Sequence, residues 1–138
     1  MIVTTRLQID TLGDGQVFDL NAEVKRRVTD SSVRDGQVTI FTTHTTNGVT
    51  IMEYEPGLVQ DLNDSMERMI PRSVPYQHNL LNGDINGHSH TRAVMVGQSL
   101  VVPVQDGLML LGIHQYVVLV DFDARPRQRE LIIQVMGE

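Results

Sequence analysis

The side chains best suited to chemistry in this sequence are histidines. The chain has 138 residues, among them five histidines and no cysteine. His78, His88 and His90 lie within thirteen residues, in a polar stretch that also contains Asp84. A fourth, His44, ends an apolar strand-like run. Neutral imidazole is the commonest protein metal ligand near neutral pH, and without thiolates the ion must accept nitrogen and oxygen donors. The pattern therefore predicts a divalent metal site.

The pair His88 and His90 has a geometry that depends on secondary structure. On a strand, residues two apart point to the same side and could share one ion, whereas on a helix they point roughly 200° apart. Residues 87–96 are predicted to form a short helix that Gly97 ends. We therefore expect only one of the two histidines to be a ligand.

His44 is followed by Thr45 and Thr46 in a turn that ends with Gly48. Loops at strand ends often hold functional groups on a rigid base, so the imidazole and the two hydroxyls indicate a binding site. A capped turn with an ordinary hydrogen-bonded histidine is the alternative, and the residues alone do not separate the two interpretations.

Three arginines alternate along the segment 125–129. An extended backbone places Arg125, Arg127 and Arg129 on one face, where they could bind a phosphate or carboxylate. The alternative is a solvated hairpin whose arginines pair with neighbouring acids. Those acids are Asp121, Asp123 and Glu130.

The remaining pattern predicts one α+β domain over residues 1–138, with a sheet-rich, mostly antiparallel core and two to three helices. One helix follows Asp19, a second begins near Pro56 and ends at Pro71, and the third is the short helix over 87–96. Strands are predicted over 2–9, 37–44, 49–53, 99–104, 108–111, 114–122 and 130–136.

Composition excludes several functions. The net charge of −6 provides no basic surplus for nucleic-acid phosphates, and the apolar runs are far too short to span a membrane. The only lysine is Lys25, on a predicted helix surface, which argues against Schiff-base chemistry. No segment has the pattern of a signal peptide, so we expect a cytoplasmic protein.

A set of short motifs in a fixed order gives the chain a family resemblance. In chain order these are His44-Thr-Thr-Asn-Gly-Val-Thr-Ile51-x-Glu53, Tyr76-x-His78, His88-Ser-His90 with Ala93 and Gly97, Ser99-Leu-Val-Val-Pro103, Gly107, Gly112-x-x-Gln115, Arg127-x-Arg129 and the final Gly137-Glu138. Over nearly the full chain the sequence resembles the YjbQ-type family, also called the secondary thiamine-phosphate synthase family.

The resemblance implies an α+β homotrimer with a histidine-lined cleft between subunits. Carried over by position, it implies that His44, His78 and His90 bind a divalent ion. It places Glu53 and Gln115 nearby as catalytic residues. Three imidazoles suit zinc better than magnesium, which prefers oxygen ligands. We also expect phosphate groups of the substrate to contact Thr45, Thr46, Arg127 and Arg129.

The activity implied by the resemblance is thiamine-phosphate synthesis, in which the nitrogen of a thiazole phosphate attacks a pyrimidine pyrophosphate and releases pyrophosphate. Two alternatives stay open: a metal-assisted hydrolase of a small phosphate or acyl substrate, and a non-catalytic trimer that binds a metabolite or a metal. Two positions depart from the family pattern. His114 stands where members have tryptophan, and Met52 stands where they have asparagine.

The last third of the chain carries an independent argument for self-association. The strand containing Tyr116, Val117, Val118, Leu119 and Val120 is apolar at successive positions. Such strands could leave more apolar sheet surface than one small subunit covers, which favours a homotrimer.

Overall fold

The computed structural model describes all residues, 1–138, and contains eight strands and four helices. The strands are β1 (Ile2–Thr11), β2 (Gln16–Asp19), β3 (Gly36–Thr42), β4 (Asn47–Met52), β5 (Ser99–Gln105), β6 (Leu108–Met109), β7 (Tyr116–Asp121) and β8 (Arg127–Gly137). The helices are α1 (Asn21–Ser31), α2 (Pro56–Met69), α3 (Gln77–Asn82) and α4 (Gly87–Val96). The predicted α+β class with a mostly antiparallel core is confirmed.

Two antiparallel sheets form the framework. The larger has the strand order β1-β8-β3-β5-β6, and the smaller has the order β2-β7-β4. In the large sheet β8 lies between β1 and β3, with Thr42 at the end of β3 opposite Leu131. In the small sheet β7 is central, with Asn47 at one end of β4 opposite Asp121 and Met52 at the other end opposite Tyr116.

The main core lies between the inner faces of the two sheets and α1. Alternate residues of each strand point into it, because successive side chains of a strand point to opposite sides. The buried residues contributed by β3, β8, β7 and α1 are Val38, Ile40, Leu131, Ile133, Val135, Val117, Leu119, Val24 and Val28.

The other face of β7 forms a second, smaller core with α2. Val118, Val120 and Phe122 pack there with Met66 of α2. Both faces of β7 are therefore covered within one subunit, and this explains its unbroken apolar sequence. The sequence argument that this strand leaves uncovered apolar surface for self-association was wrong, because residues 117–120 are completely buried inside the chain.

The three predicted helices are confirmed, and their ends follow from local chemistry. At α2 the Glu55 carboxylate accepts hydrogen bonds from the backbone amides of Gly57 and Leu58, and Pro56 occupies the first helical position. At α1 the Asp19 carboxylate accepts a hydrogen bond from the Asn21 amide at 2.9 Å, although the capping position itself is Leu20.

Two elements were absent from the sequence prediction. Helix α3, a fourth helix where two to three were expected, has only six residues and no buried side chain, so it lacks the apolar periodicity that reveals a helix. Strand β2 directly follows a turn at Gly13–Gly15, and its four residues are too few to show the alternation of apolar and polar residues that predicts a strand. No helix of the chain combines the length and the apolar character needed to cross a membrane.

Candidate functional site

A polar cavity of about 360 Å³ lies where the ends of both sheets meet the connection between α3 and α4. None of its lining residues is hydrophobic. They are Thr43, His44, Thr45, Thr46, Asp84, Asn86, His90, Asp123, Arg127 and Arg129. Six of the predicted site residues are in this set. The cavity is the only place in the chain that brings predicted imidazoles, hydroxyls and guanidiniums together.

Strand register explains why the arginines face this cavity. Arg127 and Arg129 share the inner face of β8 with Leu131, Ile133 and Val135, so they continue the core-facing side of the large sheet beyond the apolar core. The loop from Thr43 to Thr46 leaves the neighbouring strand β3 at the same end. The end of β7 brings Asp121 and Asp123 opposite the two guanidiniums.

A buried ion pair forms the floor of the cavity. The Arg129 guanidinium donates from Nε to Oδ2 of Asp121 at 2.7 Å and from Nη2 to Oδ1 at 2.8 Å, a two-point contact. The Nη2 atom also donates to the Thr46 hydroxyl at 2.7 Å. Both charged residues are about 97–99% buried, so the pair is held away from water. The third nitrogen of Arg129, Nη1, makes no hydrogen bond within the chain.

Arg127 is the more accessible arginine. Its side chain is 38% exposed, and only Nε is engaged, donating to Oδ2 of Asp123 at 3.0 Å. Asp123 also accepts from the Ala124 amide at 2.7 Å and from the Thr46 hydroxyl at 3.1 Å. Burial opposes ionisation of Asp123, but these donors and Arg127 outweigh it and hold the pKa of Asp123 below its ordinary value.

Both interpretations of the arginine row thus describe part of the structure. Arg127 and Arg129 face one cavity on one side of an extended strand, and both also pair with acids of β7 or the residues after it. Arg125 lies in the exposed turn before β8 and is not among the lining residues.

His78 and His90 form a close pair at the wall of the cavity. Their ring centroids are 4.3 Å apart with the planes inclined by 45°. This contact depends on close packing of α3 on α4. Gly87 permits that packing because it has no side chain: a Cβ atom there would lie only 2.5 Å from Cβ of Tyr76. His78 Nε2 lies 3.2 Å from Oδ1 of Asn86, and burial, with the neighbouring His78, lowers the pKa of His90.

His88 lies in different surroundings, as the helical spacing predicted. Its side chain is buried beneath α4, where Nε2 is 3.3 Å from the Ser89 hydroxyl and Nδ1 has no partner. Burial and then Arg92 lower the pKa of His88. His90, two residues later on the helix, faces the cavity instead.

His44 is tied to the backbone of the large sheet. Its Nε2 atom accepts a hydrogen bond from the backbone amide of Glu130 at 2.9 Å. Strand β3 has already ended at Thr42, so the imidazole takes the place of a strand partner for this amide. Burial and then Arg129 lower the pKa of His44, which favours the neutral ring.

The predicted metal ligands do not gather as a complete set in one subunit. No group of three His, Asp or Glu side chains of this chain lies around a common point that an ion could occupy. The close pair His78 and His90, with the oxygen of Asn86, is the nearest approach to such a group.

Glu53 and Gln115, the predicted catalytic residues, lie at the other end of the small sheet. Glu53 follows β4 and Gln115 precedes β7, next to the pair Met52 and Tyr116, whereas the cavity adjoins the pair Asn47 and Asp121. At about 3.3–3.4 Å per residue, the length of β4 separates the two ends by roughly 17 Å.

Near Glu53 the contacts are sparse. His114 Nδ1 lies 3.9 Å from a Glu53 oxygen, with both side chains more than half exposed, and Gln115 accepts a hydrogen bond from the Gly112 amide at 2.8 Å. The structure therefore groups His114 with the predicted catalytic residues and away from the cavity. We call Glu53, His114 and Gln115 the distal cluster.

Sequence reasoning did not identify Asp84, Asn86 and Asp123 as cavity residues. Asp123 was considered only as a pairing partner for surface arginines. One signal was available in the chain: the alternation Leu131, Ile133 and Val135, extended backwards by one step, places Arg129 on the buried face. An arginine on such a face requires a nearby acid.

The fold and the cavity define a class of small α+β proteins, with two antiparallel sheets and a polar site at their shared end. The family model of "UPF0047 protein YjbQ-like" matches residues 5–138. The chain belongs to this family, as its motifs predicted.

Similar sequences and solved structures match this chain over nearly its full length. A UPF0047 protein of Archaeoglobus fulgidus is 35% identical over 130 residues, which cover 94% of this chain and 98% of that protein. A UPF0047 protein of Mycobacterium tuberculosis is 36% identical over 135 residues, covering 90% and 99%. A hypothetical protein of Aeropyrum pernix has a similar structure, with a TM-score of 0.91, 29% identity and 99% of both chains covered.

Proposed function

We propose that this protein is a metal-assisted enzyme whose polar cavity binds the phosphate group of a small phosphorylated metabolite. The observation that supports this proposal best is the lining of the cavity: two guanidiniums, two imidazoles and three threonines, with no apolar residue. Oxyanions are bound by such donors, and Arg127 has free Nη nitrogens for a charge-assisted contact.

Charge balance supports a metal together with the anion. The two arginines face three carboxylates, those of Asp84, Asp121 and Asp123. A bare phosphate dianion would therefore enter a site with no positive surplus, whereas a phosphate accompanied by a divalent cation would not add negative charge. We expect phosphate to bind more tightly when the ion is present.

His78 and His90 are the residues we propose for the ion. Their ring nitrogens and the oxygen of Asn86 suit a nitrogen-accepting ion such as zinc better than magnesium. Such an ion, when bound, supplies charge neutralisation for a phosphate or a leaving pyrophosphate. The chain's own part is to orient the phosphate with Arg127, Arg129 and Thr45.

Two reactions fit such a site. Hydrolysis of a small phosphate substrate would need the donors of the cavity, the bound ion and a water molecule. The thiamine-phosphate type of joining reaction must also bind two heteroaromatic rings, and none of the ten lining residues is hydrophobic. We therefore favour chemistry at a small polar phosphate, with the joining reaction as the second candidate because two arginines suit a pyrophosphate leaving group.

The distal cluster enters this proposal through self-association. Within one subunit Glu53 and Gln115 cannot reach the cavity, so a catalytic role for them requires a neighbouring copy whose distal cluster adjoins this cavity. A homotrimer with sites between subunits, as the family resemblance implies, would provide that arrangement. Light scattering at micromolar concentration tests it, and a monomer mass would contradict this part of the proposal.

Purified protein assayed with general phosphate esters, and separately with the pyrimidine pyrophosphate and thiazole phosphate, tests the activity. We expect turnover that a chelator abolishes and added zinc restores. A heat-treated sample provides the blank. Tight phosphate binding without turnover of any substrate would instead favour a non-catalytic metabolite-binding protein.

Metal content tests the assignment of the histidines. His78→Ala and His90→Ala are expected to lose zinc, whereas His88→Ala, whose ring lies beneath α4, should keep most of it. Elemental analysis of the three purified variants gives the comparison. Equal loss in all three would show that the helix does not separate a ligand from a structural histidine.

A further inference from the structure

We propose that His44 donates a hydrogen bond from Nδ1 to the bound anion and is not a ligand of the metal ion. This inference rests on the proposed anion site but departs from the ligand set that the family resemblance implied. Its basis is the hydrogen bond from the Glu130 backbone amide to His44 Nε2, at 2.9 Å.

A backbone amide can only donate, so this contact determines which nitrogen carries the proton. The lone pair of Nε2 is used to accept from Glu130, and a neutral imidazole must then be protonated at Nδ1. Nδ1 has no hydrogen-bond acceptor within the chain, and His44 lines the cavity. The ring therefore offers one N–H donor to a ligand.

Metal binding by His44 would require the opposite tautomer. Nδ1 would have to provide its lone pair and the proton would move to Nε2, which would place two N–H donors face to face at 2.9 Å. The Glu130 amide has no alternative partner on that side, because β3 ends at Thr42, opposite Leu131. Leaving this partly buried amide unpaired opposes the rearrangement.

His78 provides an instructive contrast. The partner of its Nε2 is Oδ1 of Asn86, at 3.2 Å, and its Nδ1 lies 3.5 Å from the Asn82 amide. A side-chain amide can rotate by 180° and exchange its oxygen for its nitrogen, so either tautomer of His78 can be accommodated. The backbone amide opposite His44 cannot exchange roles. Unlike His78, His44 is therefore confined to one tautomer.

The position of His44 suits an oxyanion. The cavity also contains the free Nη nitrogens of Arg127, the unbonded Nη1 of Arg129 and the hydroxyl of Thr45. A neutral N–H donor beside two guanidiniums adds a directed hydrogen bond without further charge, which favours ligands that present several oxygens, such as a phosphate monoester. His44 is in this view a specificity-determining residue for the anion.

Nuclear magnetic resonance of the ¹⁵N-labelled protein tests the tautomer directly. We expect the His44 ring to be neutral and protonated at Nδ1, both in the metal-free protein and after zinc is added, with its proton signal shifting when inorganic phosphate is titrated. Protonation at Nε2 in the zinc-loaded protein would overturn the proposal. This measurement needs no substitution and does not depend on activity.

A pair of variants gives the second test. His44→Gln keeps a side-chain oxygen that can accept from Glu130, and His90→Gln is its matched control. We expect His44→Gln to retain zinc and His90→Gln to lose it. His44→Phe, which has no donor, should weaken inorganic phosphate binding by roughly tenfold or more. Loss of zinc from His44→Gln equal to that from His90→Gln would refute the assignment.

The outcomes also separate this inference from the proposed function. If the natural protein binds no zinc, the metal-assisted function fails, while the tautomer and the phosphate titration of His44→Phe still decide the role of His44. If zinc binds and phosphate affinity is unchanged in His44→Phe, the function can stand and the proposed role of His44 fails.

Discussion

The polar side chains at one end of the small sheet are held far more firmly than those at the other end. At the cavity end, Arg129 and Asp121 are buried and joined at two points, and Asp123 accepts hydrogen bonds from three neighbouring groups. At the distal end, Glu53 and His114 are more than half exposed and 3.9 Å apart. The first set is positioned before any ligand arrives, while the second has little in this chain to hold it.

This contrast indicates which end of the small sheet could act without a second subunit. Preorganised donors act on a ligand without the cost of ordering them, so we expect the cavity end to bind the proposed anion without residues from a second subunit. The distal cluster needs a further surface to restrain it. The difference leads to four predictions, which should be large for changes at the cavity and small for changes at the distal cluster.

The largest expected effect is on folding, from Arg129→Gln. This change leaves Asp121 as a buried charge without its partner, a loss that typically costs about 3–5 kcal/mol. Arg127→Gln, at a side chain that is 38% exposed, should cost less than about 1 kcal/mol. Urea unfolding of both variants gives the comparison. Equal losses in the two variants would contradict the distinction between the buried and the accessible arginine.

The next effect is on anion binding. Because Arg127 has unoccupied nitrogens at the cavity, Arg127→Gln should weaken phosphate affinity by roughly ten- to a hundredfold. Calorimetric titration with inorganic phosphate, with and without zinc, measures it. Arg34→Gln is the control, at an exposed arginine that does not line the cavity, and should leave the affinity unchanged. If Arg127→Gln binds phosphate normally, the cavity is not an anion site.

A smaller effect is expected on the unfolding free energy at low pH. The pKa of Asp123 is held below its ordinary value, so its ionised form stabilises the fold above about pH 3.9, the usual pKa of an unfolded aspartate. That contribution is lost as the pH falls through the lower folded pKa. We expect the unfolding free energy of the natural protein to fall with acid below about pH 4. Asp123→Asn, although less stable, should show a shallower fall over the same range.

The smallest effects are expected at the distal cluster. His114→Ala and Glu53→Gln remove exposed groups whose separation of 3.9 Å is at the limit of an ion pair, so each should change stability by no more than about 0.5 kcal/mol. Thermal melts of both variants provide the measurement. A loss as large as that of Arg129→Gln would show that the distal cluster is held by contacts which a single subunit does not provide.

Much of the fold was accessible from local patterns. The boundaries of α4 at Gly87 and Val96, and the start of α2 at Pro56, follow from glycine, proline and capping residues that act within a few positions of themselves. The separation of His88 from His90 follows from the helical turn alone. Helix α3 was not predicted, because its six mostly polar residues show no periodic apolar pattern.

For the site, too, the sequence predicted some features and strand pairing decided others. Residue types and family motifs are properties of the chain, and they identified His44, His90, Arg127 and Arg129 as members of one site. Which partner each atom has depends on strand pairing. Register aligns Thr42 with Leu131 and Asn47 with Asp121, and thereby brings His44 to the Glu130 amide and Arg129 to Asp121.

The amino-acid sequence was thus sufficient for the α+β class and the family, because these depend on residue type, spacing and local periodicity. Tertiary structure alone decided that Arg129 is buried and Arg127 accessible, that β7 is covered on both faces, and that Glu53 lies about 17 Å from the cavity, the span of a six-residue strand. These outcomes arise from contacts between residues far apart in the chain, which no local pattern encodes.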